Sequence, residues 1–450
     1  MAERRRKPQA RRGVGEAVDP PGPKPRPRPT AWRWSYMAFR FGDGATNSLI
    51  ALAIVIHYGL PVWKMALATA CMNLVAVPAT FLWGTFMDKA RHRRRIVVLG
   101  FAVAAGAMLV LSAFPAYPVY VLAAMVYTTF GVATSPAASI LALQGVPRDD
   151  WSKATTSLSR RTGFAFVAGL LASVGFGLAL ADPPFHWVFL FAALMSGLAA
   201  VVAARTIPVA LPAPDHRFAA DVTAAGQRLF DRPVFMMGRL RDSPTWKGLR
   251  EGLRTHRLWP IGTVLTFTGS VCFFTSYSGI LTTELGLAAG VALLCQAPSH
   301  LVTPIAYPWA GALGRRTGKS RTVAEGAILR LVGIPGLVGS ILVFGASAVP
   351  ILIVCHAVMG VSFSLIQVNL PLLQAEVHPG GKGQAVGLYH AAVGAGTLLG
   401  SSASFLLLRA FPGYWISYVF AIVLTVVGVT CLVTAHRLHE RSVRPPGAPA

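Results

Sequence analysis

Runs of about twenty apolar residues recur along nearly the whole chain, and they limit the possible folds more than any other feature. An α-helix rises about 1.5 Å per residue, so each run is long enough to cross the roughly 30 Å of hydrocarbon in a bilayer. Short segments rich in Pro, Gly and charged residues separate the runs. This alternation predicts an all-α polytopic membrane protein with twelve transmembrane helices, called spans 1 to 12 below.

The distribution of basic residues predicts how the spans are oriented. The net charge is +24, although only 13% of the residues are charged. With the N-terminus in the cytoplasm, the Lys and Arg residues fall in the tails and the cytoplasmic connections, except Arg40, Lys64, Arg330 and Arg409. Because cytoplasmic loops carry an excess of Lys and Arg, both termini are predicted to be cytoplasmic and the protein to be a multi-pass protein of the plasma membrane. The positive charge is therefore a topology signal, and no nucleic-acid partner is predicted.

The breaks between apolar runs also predict the domain organisation. The first segment is basic and Pro-rich and has no apolar core of a signal peptide, so it is expected to be a disordered tail. A polar stretch in the middle of the chain reads as a linker. The predicted parts are a cytoplasmic tail (1–33), an N-terminal six-helix bundle (34–206), a cytoplasmic linker (207–257), a C-terminal six-helix bundle (258–436) and a second cytoplasmic tail (437–450).

Matching residues in the two halves indicate an internal duplication. Gly84 and Gly311 each follow the second span of their half, and Gly59 and Gly286 are separated by the same length of chain. Gly131 and Gly360, again in corresponding spans, have nearly this separation. Any one match carries little weight, but several in the same order and register favour two related bundles, an arrangement common in transporters.

The segment after span 2, GTFMDKARHRRR, carries a recognisable motif. It resembles the signature of the major facilitator superfamily, which reads approximately G-x-L-x-D-R-x-G-R-[RK], and the resemblance extends over residues 35–435. Arg91 replaces the second glycine, and Arg315 replaces the aspartate of the second copy. The matching residues are Gly84, Asp88, Lys89 and Arg93 in the first copy and Gly311, Leu313, Arg316, Gly318 and Lys319 in the second.

The resemblance implies two pseudo-symmetric six-helix bundles and secondary transport by alternating access, with a monomer as the expected state. It also implies that the motif residues act as a cytoplasmic gate. Asp88 would pair with nearby arginines or cap a helix N-terminus, which would hold the inner side shut in one conformation. The other interpretation is that the segment only carries topogenic charge.

Span 1 contains two charges where a bilayer-spanning helix is expected to be apolar. A charge at the centre of a span costs about 2.5 to 3.5 kcal/mol on insertion scales, so such residues usually face a cavity or a partner. Arg40, Asp43 and Asn47 are spaced i, i+3, i+7 and share one helical face. This spacing predicts a polar stripe that points into the bundle.

The resemblance implies that spans 1, 4, 7 and 10 line a central pathway, and polar residues concentrate in those spans. Spans 3 and 6, which are expected at the periphery, are almost purely apolar. The predicted proton and substrate pathway consists of Arg40, Asp43, Asn47, Tyr127, Ser270, Tyr277, His356, Gln367 and Asn369.

Two interpretations of the charges in span 1 remain open. In the functional one, Asp43 takes up and releases a proton, or binds a cation, while Arg40 favours the ionised form of Asp43 or holds an anionic substrate. In the structural one, the two residues form a permanent ion pair within the helix, with Arg40 reaching toward the inner interface.

Three further polar residues lie within spans. Asn73 and His300 are related by the same separation as Gly84 and Gly311, and each is expected to be a hydrogen-bonding residue between helices. Arg330 in span 9 is expected to extend its charge toward the membrane interface.

No constellation in the sequence indicates an enzyme. There is no HExxH, and GRRTGKS departs from the phosphate-binding loop at Leu313. No metal or cofactor site is predicted. The predicted partners are a small-molecule substrate, protons and the lipid bilayer. Proton-coupled efflux of amphiphilic compounds is favoured over uptake of a small polar or anionic metabolite, and a non-transporting receptor or scaffold is the third alternative.

Overall fold

The computed structural model describes residues 31–89, 93–143, 151–179, 185–207, 246–377, 382–411 and 413–443. Within these residues the regular structure is helical. A short 3-10 turn, Gly345–Ala348, joins two of the helices. The twelve α-helices of the described residues are α1 (Arg33–Ile56), α2 (Val62–Lys89), α3 (Arg93–Ser112), α4 (Tyr117–Leu143), α5 (Trp151–Ala179), α6 (Phe185–Thr206), α7 (Trp246–Thr283), α8 (Ala289–Thr317), α9 (Lys319–Phe344), α10 (Val349–Val377), α11 (Lys382–Ala410) and α12 (Trp415–Val443).

Ten segments of the described chain are long and apolar enough to cross a membrane. One of them, residues 319–374, takes in both α9 and α10. The helix α5 is not among the ten, so the count of twelve crossings stays a prediction. The all-helical fold itself is confirmed. It is the expected solution in lipid, because a helix satisfies its backbone hydrogen bonds internally.

The helix α7 begins earlier than predicted. Its backbone is helical from Trp246, whereas residues 207–257 were predicted to be a linker. Pro260 lies inside this helix. The helix α12 also continues to Val443, into the predicted second tail (437–450). Residues 1–30, most of the remaining linker and residues 444–450 lie outside the described residues, so the domain boundaries stay a prediction.

The bundle has two ends, which we name by what they carry. The tail side is the end where α1 begins and α12 ends. The turn side is the opposite end, where the α1–α2 connection (57–61) lies. The first six helices pack mainly on one another, as do the last six, and the two sets meet chiefly where α5 packs on α8 and α2 packs on α11.

Glycines set the closest helix contacts and reproduce the internal repeat. A Cβ atom on Gly44 of α1 would overlap the backbone of Phe166 in α5, and one on Gly169 of α5 would overlap the backbone of Phe41 in α1. In the second half, Gly400 of α11 meets the backbone of Thr268 in α7 in the same way. Gly169 and Gly400 occupy corresponding helices of the two halves, close to the register of the repeat found in the sequence.

Large apolar side chains cover much of the outer surface, as a lipid-facing surface requires. Among the most exposed are Leu194 at 63% and Val343 at 72%. Many serines and threonines are buried, and their hydroxyls bond to a carbonyl one turn back in the same helix. In α1, for example, the Thr46 hydroxyl donates to the Gly42 carbonyl at 3.0 Å. Such bonds satisfy polar groups that lipid cannot solvate.

The prediction for Asn73 is confirmed, and the prediction for Arg330 is wrong. Asn73 of α2 donates to the Ser401 hydroxyl of α11 at 3.2 Å, across the contact between the two halves. Arg330 does not reach an interface, since its residue is only 2% exposed. It lies in the middle of α9 and turns inward, where neighbouring hydroxyls and an aromatic ring hold its guanidinium.

Candidate functional site

The two charges of span 1 contact each other and a tyrosine from another helix. Nη1 of Arg40 donates to Oδ2 of Asp43, one turn further along α1. The hydroxyl of Tyr127 in α4 donates to the other carboxylate oxygen, Oδ1, at 2.8 Å. Both oxygens of Asp43 are therefore engaged. We call these three residues the Asp43 cluster.

The Arg40 side chain extends from the Asp43 cluster toward α5 and α8. Its guanidinium carbon lies 4.7 Å from the centre of the Phe166 ring in α5. His300 of α8 packs against the same phenylalanine, with ring centres 5.0 Å apart. Arg40 also interacts electrostatically with His300 and with Tyr307 of α8. The guanidinium thus lies where the two halves of the chain meet, rather than at the lipid surface.

Hydrogen-bonding groups continue from this point across the bundle. The Tyr307 hydroxyl donates to Oε1 of Gln367 in α10 at 2.9 Å. On the other side of the meeting point, the Ser48 hydroxyl of α1 donates to Oε1 of Gln296 in α8 at 3.3 Å. Asn47 and Gln367 are both exposed. Gln296 and Tyr307 are about 16 Å apart along α8, so these groups lie at two levels. We call Asn47, Gln296, Tyr307 and Gln367 the amide groups.

Four of the predicted pathway residues do not join the Asp43 cluster. They are buried within the second half, where they link helices of that half. Asn369 donates to the Ala310 carbonyl of α8 at 3.1 Å, and Ser270 accepts a hydrogen bond from Arg330 at 2.9 Å. The rings of Tyr277 and His356 pack with centres 5.1 Å apart. Whether these four take part in transport stays a prediction.

The gate motif is only partly described. Gly84, Asp88 and Lys89 lie in the helical backbone of α2, but their side chains lie outside the described part of the structure. Arg93 begins α3 and is 6% exposed.

The second copy of the motif is described more fully. Gly311 lies within α8, and Arg316 is exposed in its last turn. Gly318 separates α8 from α9 with φ +94°, a conformation that is readily available only to glycine. The next residue, Lys319, forms an ion pair with Glu376 at the end of α10. This contact lies within the second half of the chain.

The sequence analysis missed most of the contribution of α8. Gln296, His300 and Tyr307 are spaced i, i+4, i+11 and therefore share one helical face. Only His300 was considered, and it was interpreted as a hydrogen-bonding residue between helices. The polar stripe along an otherwise apolar span was the signal that would have found the other two. Phe166, in contrast, carries no such signal, because an aromatic residue in a transmembrane helix is unremarkable.

Comparisons with known proteins agree on one family. A sequence model described as Major Facilitator Superfamily matches residues 34–337. None of the curated proteins matches the chain.

Solved structures of transporters share the fold. The nucleoside transporter NupG is 12% identical, with a TM-score of 0.65, over 91% of this chain and 98% of that one. A bacterial homologue of the human lysosomal transporter Spinster, in an inward-facing and occupied conformation, is 13% identical with a TM-score of 0.67, over 93% and 98%. A bacterial homologue of the human drug peptide transporters PepT1 and PepT2 is 16% identical with a TM-score of 0.65, over 92% and 97%.

Proposed function

This chain belongs to the Major Facilitator Superfamily and is a membrane transporter of the secondary type rather than an enzyme, and we propose that it moves a small solute by alternating access and couples this movement to protons through Asp43. The nucleoside and peptide transporters that share its fold support a small-molecule substrate.

The contacts of Asp43 are the observation that carries the proton coupling. Asp43 is the acid of an ion pair, and its side chain is only 13% exposed. Protonation would remove the negative charge that holds the Arg40 guanidinium. One proton would therefore change the contacts of α1 with α5 and α8, and α5 and α8 are helices through which the two halves meet. This link between a proton and the geometry at the meeting of the two halves supports coupling at this site.

Contacts at the turn side support alternating access. Met65 and Val62 of α2 pack against Gly279 of α7, and the Trp63 ring lies 6.2 Å from the Phe405 ring of α11. These contacts close the two halves on the turn side, while Arg40, nearer the tail side, keeps 41% of its side chain exposed. A bundle that is closed on the turn side and has an accessible charge nearer the tail side corresponds to one of the two states that alternating access requires.

Two kinds of cargo remain candidates. Efflux of amphiphilic compounds was favoured on the sequence, because a lone carboxylate among aromatic groups suits a cation. The contacts of Asp43 favour the alternative, uptake of a small polar or anionic metabolite, because the carboxylate is already engaged on both oxygens. A receptor or scaffold that moves nothing is the third candidate, and the first experiment below distinguishes it.

The remaining predictions belong to this proposal. We place the protein in the plasma membrane as a monomer, with the tail side and both termini in the cytoplasm. The gate motif would hold the tail side shut in the opposite state. The Lys319–Glu376 ion pair would keep the connection between α8 and α9 against α10.

Replacement of Asp43 by asparagine should abolish proton-driven transport, because an asparagine side chain does not take up or release a proton near neutral pH. Purified protein in liposomes would be supplied with a mixed library of metabolites and drugs, under an imposed pH gradient. We expect a compound to move protons with wild type, and Asp43→Asn to lower this proton movement to the level of protein-free liposomes. Exchange of that compound across the membrane without a gradient should survive.

Glu325→Gln is the matched control for this experiment. It makes the same carboxylate-to-amide change in α9, where Glu325 pairs with Arg321 of its own helix in the described structure. It should transport like wild type. Equal proton movement by wild type and Asp43→Asn would refute the role of Asp43. A compound that binds wild type but is never moved would favour a receptor.

Locking the turn side should stop transport. A Cβ atom on Gly279 would lie 3.3 Å from Cγ1 of Val62, which is close enough for a disulfide after modest adjustment. In a variant with the five native cysteines replaced by serine, Val62→Cys with Gly279→Cys should cross-link on oxidation. Transport should then cease and return on reduction. A cross-linked protein that transports as fast as the reduced one would contradict alternation at this contact, and Val62→Cys alone controls for oxidation.

A further inference from the structure

The two charges of the Asp43 cluster are not equally accessible. The Arg40 side chain is 41% exposed, whereas that of Asp43 is 13% exposed. Both Asp43 oxygens accept hydrogen bonds, one from Arg40 and one from Tyr127. A guanidinium has five N–H donors, and the bond to Asp43 uses one of them. The charge that this site offers to a solute is therefore the positive one.

Among the described residues, no second permanent cation contacts the cluster to help bind a multiply charged anion. The described interactions of Arg40 or Asp43 with titratable groups of other helices include those with Tyr127 of α4 and with His300 and Tyr307 of α8, and none of these three is a lysine or arginine. From α5 and α6, the described contacts of this stretch of α1 include the apolar residues Phe166, Phe191 and Met195. The cation Arg161 of α5 interacts with Arg33, about two turns before Arg40 on α1.

Two charged side chains at the turn side, near α2 and α7, have described contacts away from the cluster. In α2, Lys64 lies over the rings of Trp63 and Tyr117 at the turn side. Near the end of α7, Glu284 interacts with Tyr414. Asp43 is therefore the negative charge that balances Arg40 in the described structure. A site from which a bound solute displaces water tolerates little net charge, so only one carboxylate at a time is well compensated by this guanidinium.

We propose that the substrate is a small solute with a single carboxylate, and that this carboxylate replaces Asp43 on Arg40 when Asp43 takes up a proton. The inference rests on the proposed coupling through Asp43. In the empty state Arg40 and ionised Asp43 sum to zero charge. In the loaded state Arg40, neutral Asp43 and the solute carboxylate also sum to zero. One proton and one monoanion enter together, so transport is an electroneutral symport.

The geometry of the guanidinium suits this exchange. Arginine presents parallel N–H groups that match the two oxygens of a carboxylate, and such charge-assisted bonds are among the strongest in proteins. The guanidinium carbon lies 4.7 Å from the centre of the Phe166 ring. This cation–π contact would keep the guanidinium in place when protonation of Asp43 breaks the ion pair. A cationic solute would meet the exposed positive charge first and would be repelled.

The amide groups indicate what the rest of the solute carries. Asn47 follows Arg40 by two helical turns, so it lies about 10 Å further along α1. Gln367 is exposed and lies at the Arg40 end, because it accepts a hydrogen bond from Tyr307, which interacts with Arg40; its amide N–H groups take no part in that bond. A solute of about this length, with a carboxylate at the Arg40 end and a hydrogen-bonding group at the Asn47 end, fits this stretch, and Gln367 offers further hydrogen bonds near the carboxylate. The class is a polar monocarboxylate rather than an amphiphile.

Matched pairs of carboxylates and their amides test this proposal by binding alone. Benzoate, nicotinate and lactate would be compared with benzamide, nicotinamide and lactamide, and the cation 1-methylnicotinamide would be added. Each would be titrated into purified wild-type protein in detergent at about pH 5.5 and about pH 7.5, with calorimetry and thermal unfolding as readouts. At the lower pH we expect at least one carboxylate to bind roughly tenfold or more tighter than its amide. At the higher pH this preference should weaken, because carboxylate binding is accompanied by uptake of one proton, and a binding step that takes up a proton weakens as the proton concentration falls.

Two variants separate the roles of the pair. Asp43→Asn should bind the carboxylate equally well at both pH values, since the competitor is gone. Arg40→Gln should lose the preference for carboxylate over amide. Arg409→Gln removes an arginine from the turn side, away from the cluster, and should keep the preference. Unfolding of each variant without any probe shows that it is folded.

Several results would overturn the proposal. They are amides or the cation binding as tightly as the carboxylates, no carboxylate binding to wild type or Asp43→Asn, and Asp43→Asn binding carboxylates more weakly than wild type at the lower pH. Because binding needs no gradient, Arg40-dependent carboxylate binding without proton-linked transport would count against the proposed function alone. Asp43-dependent proton transport of a solute without a carboxylate would count against this inference alone.

Discussion

Gly169→Ala should destabilise the protein by more than about 3 kcal/mol, because the new methyl group has no space. A Cβ atom on Gly169 would overlap the carbonyl of Phe41 in α1, and backbone atoms of a neighbouring helix cannot rotate away as a side chain can. The helices α1 and α5 would have to separate along their line of contact. We expect a lower unfolding temperature of the purified protein and a smaller yield of monodisperse protein. Gly44→Ala should have a similar effect, since it meets the backbone of Phe166 from the opposite helix.

Gly175→Ala is the matched control on the same helix. A Cβ atom on Gly175 would meet nothing within 4 Å. Alanine is a better helix former than glycine by about 1 kcal/mol, so this variant should be as stable as wild type or slightly more stable. If Gly169→Ala and Gly175→Ala unfold at the same temperature, α1 and α5 do not approach as closely as described.

The second large effect is expected at Arg330, where alanine and methionine should give different results. Arg330 is 2% exposed, and its Nη1 and Nε donate to the hydroxyls of Ser270 in α7 at 2.9 Å and Ser362 in α10 at 3.3 Å. The guanidinium also lies 4.9 Å from the centre of the Phe267 ring. Arg330→Ala removes these bonds and leaves a cavity between three helices, at an expected cost of about 3 kcal/mol or more.

Arg330→Met should cost far less, within about 1 kcal/mol of wild type, because methionine fills much of the volume and removes a desolvated charge. The two hydroxyls would remain satisfied as donors. Ser270 donates to the Thr266 carbonyl, and Ser362 donates to the Gly326 carbonyl. Thermal unfolding of the purified variants in one detergent measures the difference. If methionine is as damaging as alanine, the charge itself is needed and our account of Arg330 as a packing and hydrogen-bonding link is wrong.

Arg330 also shows where reasoning from the sequence is weakest. Long basic side chains in a span commonly extend to the membrane interface, and this was the prediction. The structure instead offers a hydroxyl and an aromatic face from α7, which lies earlier in the chain, and a second hydroxyl from α10, which follows. No local pattern around Arg330 indicates that these groups converge on it. The outcome depends on which faces of α7, α9 and α10 pack together.

The polar residues of spans 7 and 10 illustrate a related limit. Their number was used as a sign that these spans line a pathway. In lipid, however, serine, histidine and asparagine side chains also join helices to one another, and composition does not distinguish the two uses. Asn369, for example, holds α10 to α8 through the Ala310 carbonyl. Solvent exposure distinguishes a residue that lines a pathway from one that joins helices, and exposure is a property of the assembled bundle.

The polar stripe of span 1 was predictable only as far as a single helix determines it. Spacing alone placed Arg40, Asp43 and Asn47 on one face and allowed an ion pair one turn apart. The partner on the other side of Asp43 was not predictable, because Tyr127 is 84 residues away and belongs to a different helix. Nor did the sequence indicate that Arg40 would be the more exposed member of the pair.

The sequence by itself determined that this is an α-helical membrane protein, with a pseudo-repeated chain and the major facilitator motif after its second span. These properties follow from the length and hydropathy of continuous segments, since each helix must satisfy its own backbone and match the thickness of the bilayer. Only the tertiary structure decided which glycines lie at close helix contacts and which groups bind Arg330. It also decided that the Asp43 side chain is mostly buried whereas the Arg40 side chain is partly exposed. Those outcomes depend on contacts between helices far apart in the chain, and such contacts are selected by the packing of the whole bundle.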